Sequence, residues 1–274
     1  MDKVAIQGFT GSFHAIATEK YFGPSHQLVM CDSFPNLFKS LGNGGADCAV
    51  IAIENTIAGT ILFNYSLLLN SPYSIMGETS LRIEHCLLAL KGQSIEDIKE
   101  VRSHPMALMQ CMRFFSGRPE IKLVEDIDTA YVAELIAKNQ TKGVAAIAGE
   151  GVAEKFGLEI LKRNIEDSEK NFTRFLIIKK IDKDSLEIEG ANKASIWFRI
   201  NHEVGSLRNI LNCMAKRNIN ITSLQSTPFV GNEWEYNFHM DAEFTDILNW
   251  KELLNEMKAF TKHLSLLGVY KKGI

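Results

Sequence analysis

The stretch Lys170-Asn171-Phe172-Thr173-Arg174-Phe175 sets a hydroxyl and a guanidinium between aromatic rings, where a charged loop gives way to the apolar run Phe175-Leu176-Ile177-Ile178. A hydroxyl there can donate to a reacting oxygen, and a guanidinium can hold a carboxylate with two parallel N–H groups. The same residue types also suit a plain strand start, because β-branched and aromatic side chains favour strands. A second polar cluster, Glu54-Asn55-Thr56-Ile57-Ala58-Gly59-Thr60, ends the almost wholly apolar run from Ala46 to Ile53. Ligands of open α/β sheets gather at the carboxyl ends of such strands, although Asn55 and Thr56 would serve equally well as helix caps. A third cluster is Val101-Arg102-Ser103-His104-Pro105. Ser103 is expected to cap a helix with Pro105 in its first turn, and Gln110 to point toward the same side as the cap.

Two further groups carry weaker signals. Gly8-Phe9-Thr10-Gly11-Ser12 is a glycine-flexed strand-to-helix turn with Ser12 as the cap, and its free N–H groups suit an anion. It lacks the third glycine of a dinucleotide fingerprint and has no phosphate-loop lysine. His85 adjoins Cys86, but no third ligand stands at metal-binding spacing, so a structural, hydrogen-bonded histidine is expected.

These clusters need a scaffold, and the hydropathy pattern supplies one. Strands are expected at 4–7, 27–31, 46–53, 73–79, 82–90, 122–125, 144–148 and 158–161, alternating with helices after Ser12, Ser33, Ser103, Thr129 and Gly149. Repeated β-α units make an α/β body. After Lys180 the composition turns polar, and 181–192 reads as a linker. Beyond it the order is βαββαβ. Ile196, Phe198 and Ile200 alternate along its first strand, and Trp234, Tyr236, Phe238 and Met240 along its third. Leu207, Ile210, Leu211 and Met214 stripe the first helix, and Ile247, Trp250, Leu254 and Met257 the second.

Bulk properties narrow the function classes. The 274 residues suit two domains, and 46% hydrophobic with 23% charged residues matches an ordinary globular protein. A net charge of −3 argues against nucleic acid or an anionic membrane as partner. Five scattered cysteines without CxxC spacing predict reduced thiols in the cytoplasm. The opening residues have no signal-peptide shape, and no apolar run reaches membrane length.

Taken together, the motifs resemble the prephenate dehydratases that carry a C-terminal ACT domain. The resemblance rests on Gly8-Phe9-Thr10-Gly11-Ser12-Phe13, Ile53-Glu54-Asn55-Thr56 with Gly59, Glu84-His85-Cys86-Leu87, Ser103-His104-Pro105 with Gln110-Cys111, and Asn171-Phe172-Thr173-Arg174-Phe175, in that order along the whole chain. It implies a two-lobed catalytic domain similar to periplasmic binding proteins over 1–180 and a ferredoxin-like α+β ACT regulatory domain over 193–274. The implied reaction is the cofactor-free, metal-free conversion of prephenate to phenylpyruvate in phenylalanine biosynthesis. Thr173 matches the family's essential threonine. Asn55, Ser103 and Gln110 are implied as neutral partners, and Glu125 as the carboxylate to watch for proton donation. Substrate contacts are expected from Ser12, Glu54, Thr56, Arg174 and Phe175, with Arg174 either a carboxylate clamp or half of an ion pair.

The C-terminal module resembles ACT domains, which bind amino acids between paired copies, so L-phenylalanine is the expected effector and a homodimer or homotetramer the expected assembly. Gly205-Ser206-Leu207 stands where the family carries its glycine turn, and Leu224, Gln225 and Ser226 would face the same ligand. Gln225 and Thr227 replace the family's usual acid and base, which puts a normal effector response in doubt. Two alternatives stay open: arogenate, the transaminated relative of prephenate, as substrate, and a non-enzymatic amino-acid sensor.

Overall fold

The computed structural model describes residues 1–180, 189–229 and 235–273. Most of the expected linker (181–188) and Trp234 lie outside the described residues. In chain order the elements begin with β1 (Asp2–Gln7), α1 (Phe13–Phe22), β2 (His26–Cys31), α2 (Phe34–Gly42), β3 (Cys48–Asn55) and β4 (Gly59–Thr60). Next come α3 (Leu62–Leu69), β5 (Ser74–Arg82), β6 (Cys86–Ala89), β7 (Glu100–Ser103), α4 (Pro105–Met109) and α5 (Met112–Ser116). β8 (Lys122–Glu125), α6 (Thr129–Asn139), β9 (Val144–Ala148), α7 (Glu150–Phe156), β10 (Glu159–Lys162) and β11 (Phe172–Lys179) follow. The chain closes with β12 (Lys193–Arg199), α8 (Ser206–Lys216), β13 (Asn220–Pro228), β14 (Tyr236–Glu243), α9 (Ile247–Met257) and β15 (His263–Tyr270).

Packing divides the chain into two compact units, Met1–Ile61 with Ser80–Phe175, and Leu62–Thr79 with Leu176–Ile274. The first contains β1 flanked in parallel by β2 and β3. β3 is buried along nearly its whole length, which explains its unbroken apolar run. At the carboxyl end of β1, Ser12 caps α1 by accepting from the Ala15 N–H, and Gly23, at φ 68°, ends that helix. The unit's other sheet has the order β10-β6-β9-β7-β8. Its two faces are both covered. Cys86, Leu88, Ala146 and Ala148 pack with α6 and α7 residues, whereas Leu87, Ala89, Ala145 and Ile147 pack with Ala107, Leu108 and Cys111. Burial on both faces is why β9 reads as a plain apolar run rather than an alternation.

In the second unit, β12, β13, β14 and β15 form an antiparallel sheet of order β13-β14-β12-β15 with α8 and α9, the expected βαββαβ arrangement. Ile196, Phe198, Ile210, Met214, Met240, Trp250 and Met257 form its core. The segment 62–79 belongs to this unit by packing, although the hydropathy pattern assigns it to the first 180 residues. Tyr65 of α3 lies with its ring centroid 4.1 Å from that of His239, and Lys193 Nζ donates to both Glu78 carboxylate oxygens, at 2.9 and 3.0 Å.

The segment 62–69, to which the hydropathy pattern assigned no element, is the helix α3. Two expectations need correction. The expected strand 82–90 is broken, so His85 stands in the loop before β6. Val101 to Ser103 belong to the strand β7, and the following helix is capped by His104, not Ser103.

Candidate active site

The end of β3 and the start of β11 are sewn together by Thr56. Its N–H donates to the Phe172 carbonyl at 2.9 Å, its hydroxyl donates to the Lys170 carbonyl at 2.7 Å and accepts from the Phe172 N–H at 2.9 Å. That clasp sets Asn55, Asn171 and Thr173 side by side. Asn55 Nδ2 donates to Asn171 Oδ1 at 2.7 Å and lies 3.0 Å from Thr173 Oγ1. Asn55 Oδ1 accepts from the Ile57 and Ala58 N–H groups at 3.0 and 2.8 Å, which fixes the orientation of the amide. Gln110, the cap at the carboxyl end of α4, continues the chain: its Oε1 accepts from Asn171 Nδ2 and pairs with His85 Nε2, both at 2.9 Å. Because Oε1 can only accept, His85 must carry its proton on Nε2. Burial lowers the His85 pKa and keeps the ring neutral, against smaller opposing effects of Gln110 and Glu166.

The network borders a cavity of about 500 Å³, within the range of small-molecule sites. Thr173, Asn55 and Gln110 line it, together with Ser12, Phe13, His14, Phe175, His104 and Asp128. Among the described residues, no lysine or arginine lines it. His14 is edge-on to Phe175, and burial holds its pKa down to about 4. Thr173 is 9% exposed and Asn171 fully buried, so the amides are shielded from competing water.

The expected site residues divide into those that meet here and those that do not. Asn55, Gln110, Thr173, Ser12 and Phe175 all line the cavity. Ser103 is fully buried, and its hydroxyl donates to the Ile147 carbonyl at 2.7 Å, so it braces β7 against β9 instead of facing substrate. Glu125 is exposed at the end of β8 and outside the cavity lining; the carboxylate that lines it is Asp128, three residues on. Arg174 is paired with Glu54, with Nε–Oε1 3.1 Å and an Nη–Oε2 contact of 3.2 Å, so the ion-pair alternative describes it. Glu54, Thr56 and Arg174 line a smaller neighbouring pocket that shares Asn55 and Thr60 with the cavity. In the second unit, Gly205, Ser206 and Leu207 line a cavity of about 350 Å³, whereas Leu224, Gln225 and Ser226 lie on β13 outside it. His85 is the hydrogen-bonded histidine that the sequence led us to expect. Asn171 and His104 stood inside the family-like motifs without a role of their own, and His14 and Asp128 carried no local signal. All five cysteines are buried and free. Among the described residues, no helix is long and apolar enough to cross a membrane.

A hydroxyl held by amides at the edge of a cavity of ligand size, on an α/β scaffold, is the arrangement of an enzyme-like site that can offer hydrogen-bond donors to a small molecule. The chain belongs to the prephenate dehydratase family: the family model described as "Prephenate dehydratase" matches residues 4–183. It is 35% identical over 274 residues to a bifunctional chorismate mutase/prephenate dehydratase of Aquifex aeolicus, covering 99% of this chain and 74% of that protein. It is 34% identical over 286 residues to arogenate dehydratase 2 of Petunia hybrida, covering 98% of this chain and 71% of that protein. Among solved structures, GqqA, described as a quorum-quenching acylase, shares 30% identity at a TM-score of 0.88, with 98% of each chain covered. A prephenate dehydratase of Arthrobacter aurescens, solved with L-Phe, has the same fold at a TM-score of 0.86 and 24% identity, covering 98% of this chain and 89% of that one.

Proposed function

We propose that the chain is a carbon–oxygen lyase that converts prephenate to phenylpyruvate. Carbon dioxide leaves C1 of the ring, its bonding electron pair moves through the ring, and the C4–O bond breaks as the ring becomes aromatic. The departing hydroxide takes up one proton and leaves as water. Aromatisation supplies the driving force, so the protein's task is to stabilise a poor leaving group.

The observation that carries this reading is the direction of the bond between Asn55 and Thr173. Asn55 Nδ2, 3.0 Å away, donates to Thr173 Oγ1, so the threonine's own proton is left to donate into the cavity that its side chain lines. A hydroxyl so placed can stabilise oxygen leaving the ring, and the Asn55 amide can hold charge that develops on Oγ1. Gln110, Asn171 and His85 keep that amide in place. Purified protein mixed with prephenate should form phenylpyruvate, read at its ultraviolet absorbance in base. Absence of turnover in folded protein would overturn the assignment.

The βαββαβ module supports an ACT-type regulatory role with L-phenylalanine as effector. The cavity beside Gly205, Ser206 and Leu207 would hold one part of the ligand, and β13 of a neighbouring copy, with Leu224, Gln225 and Ser226, would complete the site in a homodimer or homotetramer. At a hundredfold excess over Kd, such binding would stabilise the folded state by about 2.7 kcal/mol per site. An upward shift in Tm with phenylalanine tests this; no shift at millimolar ligand would reduce the module to an assembly role. Buried free thiols and the biosynthetic role favour the cytoplasm.

A further inference from the structure

Among the described residues, Asp128 is the only carboxylate that lines the active-site cavity, and no lysine or arginine lines it. Its Oδ1 is committed to the start of α6, where it accepts from the Ala130 and Tyr131 N–H groups at 2.9 and 3.0 Å. Neither of those bonds uses Oδ2. That oxygen sits against Gly8, where the φ of 96° and the missing side chain leave it room: a Cβ there would stand 2.8 Å from it. His104, which also lines the cavity, is likewise divided between a cap and the site. Its Nδ1 accepts from the Met106 N–H at 3.2 Å, which leaves Nε2 as the ring's donor nitrogen. Partial burial favours the uncharged ring, against the pull of Asp128 and Glu125. Asp128 therefore has no full positive charge beside it among the residues lining the cavity.

The two known forms of the family's substrate differ at one position of the side arm, a keto oxygen in prephenate and an ammonium in arogenate. A keto oxygen only accepts hydrogen bonds, so placed against Asp128 Oδ2 it leaves two acceptors face to face. An ammonium brings three donors and a positive charge. We propose that Asp128 is a specificity-determining residue of this site, pairing with the substrate's α-ammonium and favouring the amino-acid form over the keto-acid form. This rests on the dehydratase reading above. Burial is the main influence on the Asp128 carboxyl and raises its pKa, opposed by the Tyr131 and Ala130 N–H groups and by His104. That is the state of a carboxylate that gains from an arriving cation. Rejection is asymmetric in such sites, because a polar group left unmatched by the wrong ligand costs more than a matched one gains.

The test is the ratio of kcat/KM for arogenate to that for prephenate in the wild-type chain, Asp128→Asn and Asp128→Ser. Both replacements keep the α6 cap, since Asn and Ser are as good at that position as Asp, and melting curves check the fold. The wild-type chain is expected to turn over arogenate, and the ratio to fall by about ten- to a hundredfold in both variants, the range of a hydrogen bond to a charged group. A ratio within twofold of wild type in both variants overturns the inference, as does wild-type protein that consumes prephenate but no arogenate. If neither compound is turned over, the dehydratase reading fails by itself. Thermal shifts then decide the binding preference: a larger shift with arogenate that Asp128→Asn abolishes supports it, and equal shifts overturn it.

Discussion

Thr173 is poised by what surrounds it. As a free alcohol it is a poor acid, but Asn55 donates to its oxygen and the cavity receives its proton. Removing the hydroxyl with Thr173→Ala should lower kcat about 10²–10³-fold, as loss of a transition-state donor does, while Thr173→Ser keeps a substantial part. Near-normal turnover in a folded alanine variant would sink the role. His14 supports a different expectation, about acid stability. Its folded pKa is lowered from 6.5 to about 4 by burial, so the unfolded chain binds a proton that the folded chain refuses between those values. Stability should be unaffected by this group above pH 6.5 and should fall as pH drops toward 4, by up to about 3 kcal/mol. His85 shifts in the same direction, so the two effects run together. Urea melts from pH 7 to 4 should show the slope, and His14→Gln should flatten it. An unchanged slope in that variant would remove His14 as the cause.

Among the elements, β7 shows how a site residue and a packing residue can be exchanged on sequence alone. Ser103, His104 and Pro105 look like a helix start with the serine as cap, yet a one-residue shift gives the cap to His104 and buries Ser103 on β7, where it bonds to the neighbouring strand β9. The strand Glu100–Ser103 is short and carries charge, so it gave no period to read. Ser103→Ala should therefore behave as a packing variant. It should cost about 1 kcal/mol, the net worth of a buried hydrogen bond, and lower Tm by a few degrees while kcat/KM stays within a few-fold. A hundredfold loss of kcat/KM without a change in Tm would return Ser103 to the site. The longer elements were legible because their burial is one-sided and periodic, as with Val132, Ala133 and Ile136 on α6, or fully two-sided, as in β3 and β9. The polar ends of β3 and β11 were legible as candidates for the same reason: an apolar run that stops at Asn55 or starts after Thr173 marks a sheet margin. Asp128 and His104 were not, because each serves first as a helix cap, and a cap's second atom leaves no trace in a sequence. The Arg174 pairing with Glu54 was not legible either, because a guanidinium fits a bound carboxylate as well as a neighbouring one, and the two residues are 120 positions apart.

For the whole molecule, the hydropathy pattern suggested a separable body ending near residue 180, with the βαββαβ module attached through a linker. Packing assigns the chain otherwise, since Leu62–Thr79 lies in the same unit as the C-terminal module. The contacts inside that unit are close and buried. A Cβ added to Gly268 would meet the Ile75 carbonyl oxygen, and the Glu78 and Lys193 side chains, 4% and 6% exposed, form a salt bridge of 2.9 Å. A chain ending at residue 180 would therefore expose Ile75 and leave Glu78 without Lys193, and it should melt lower and less cooperatively than the full chain. The ion pair makes the sharper test, because its parts can be removed in either order. Lys193→Ala should cost about 3–5 kcal/mol by leaving a buried carboxylate without its counter-ion, while the double replacement Lys193→Met with Glu78→Leu should recover most of that loss. Recovery would show that the cost lies in the stranded charge and not in lost packing. If the double variant is as unstable as the single one, the pair's value is geometric, and 62–79 depends on the salt bridge itself to stay docked.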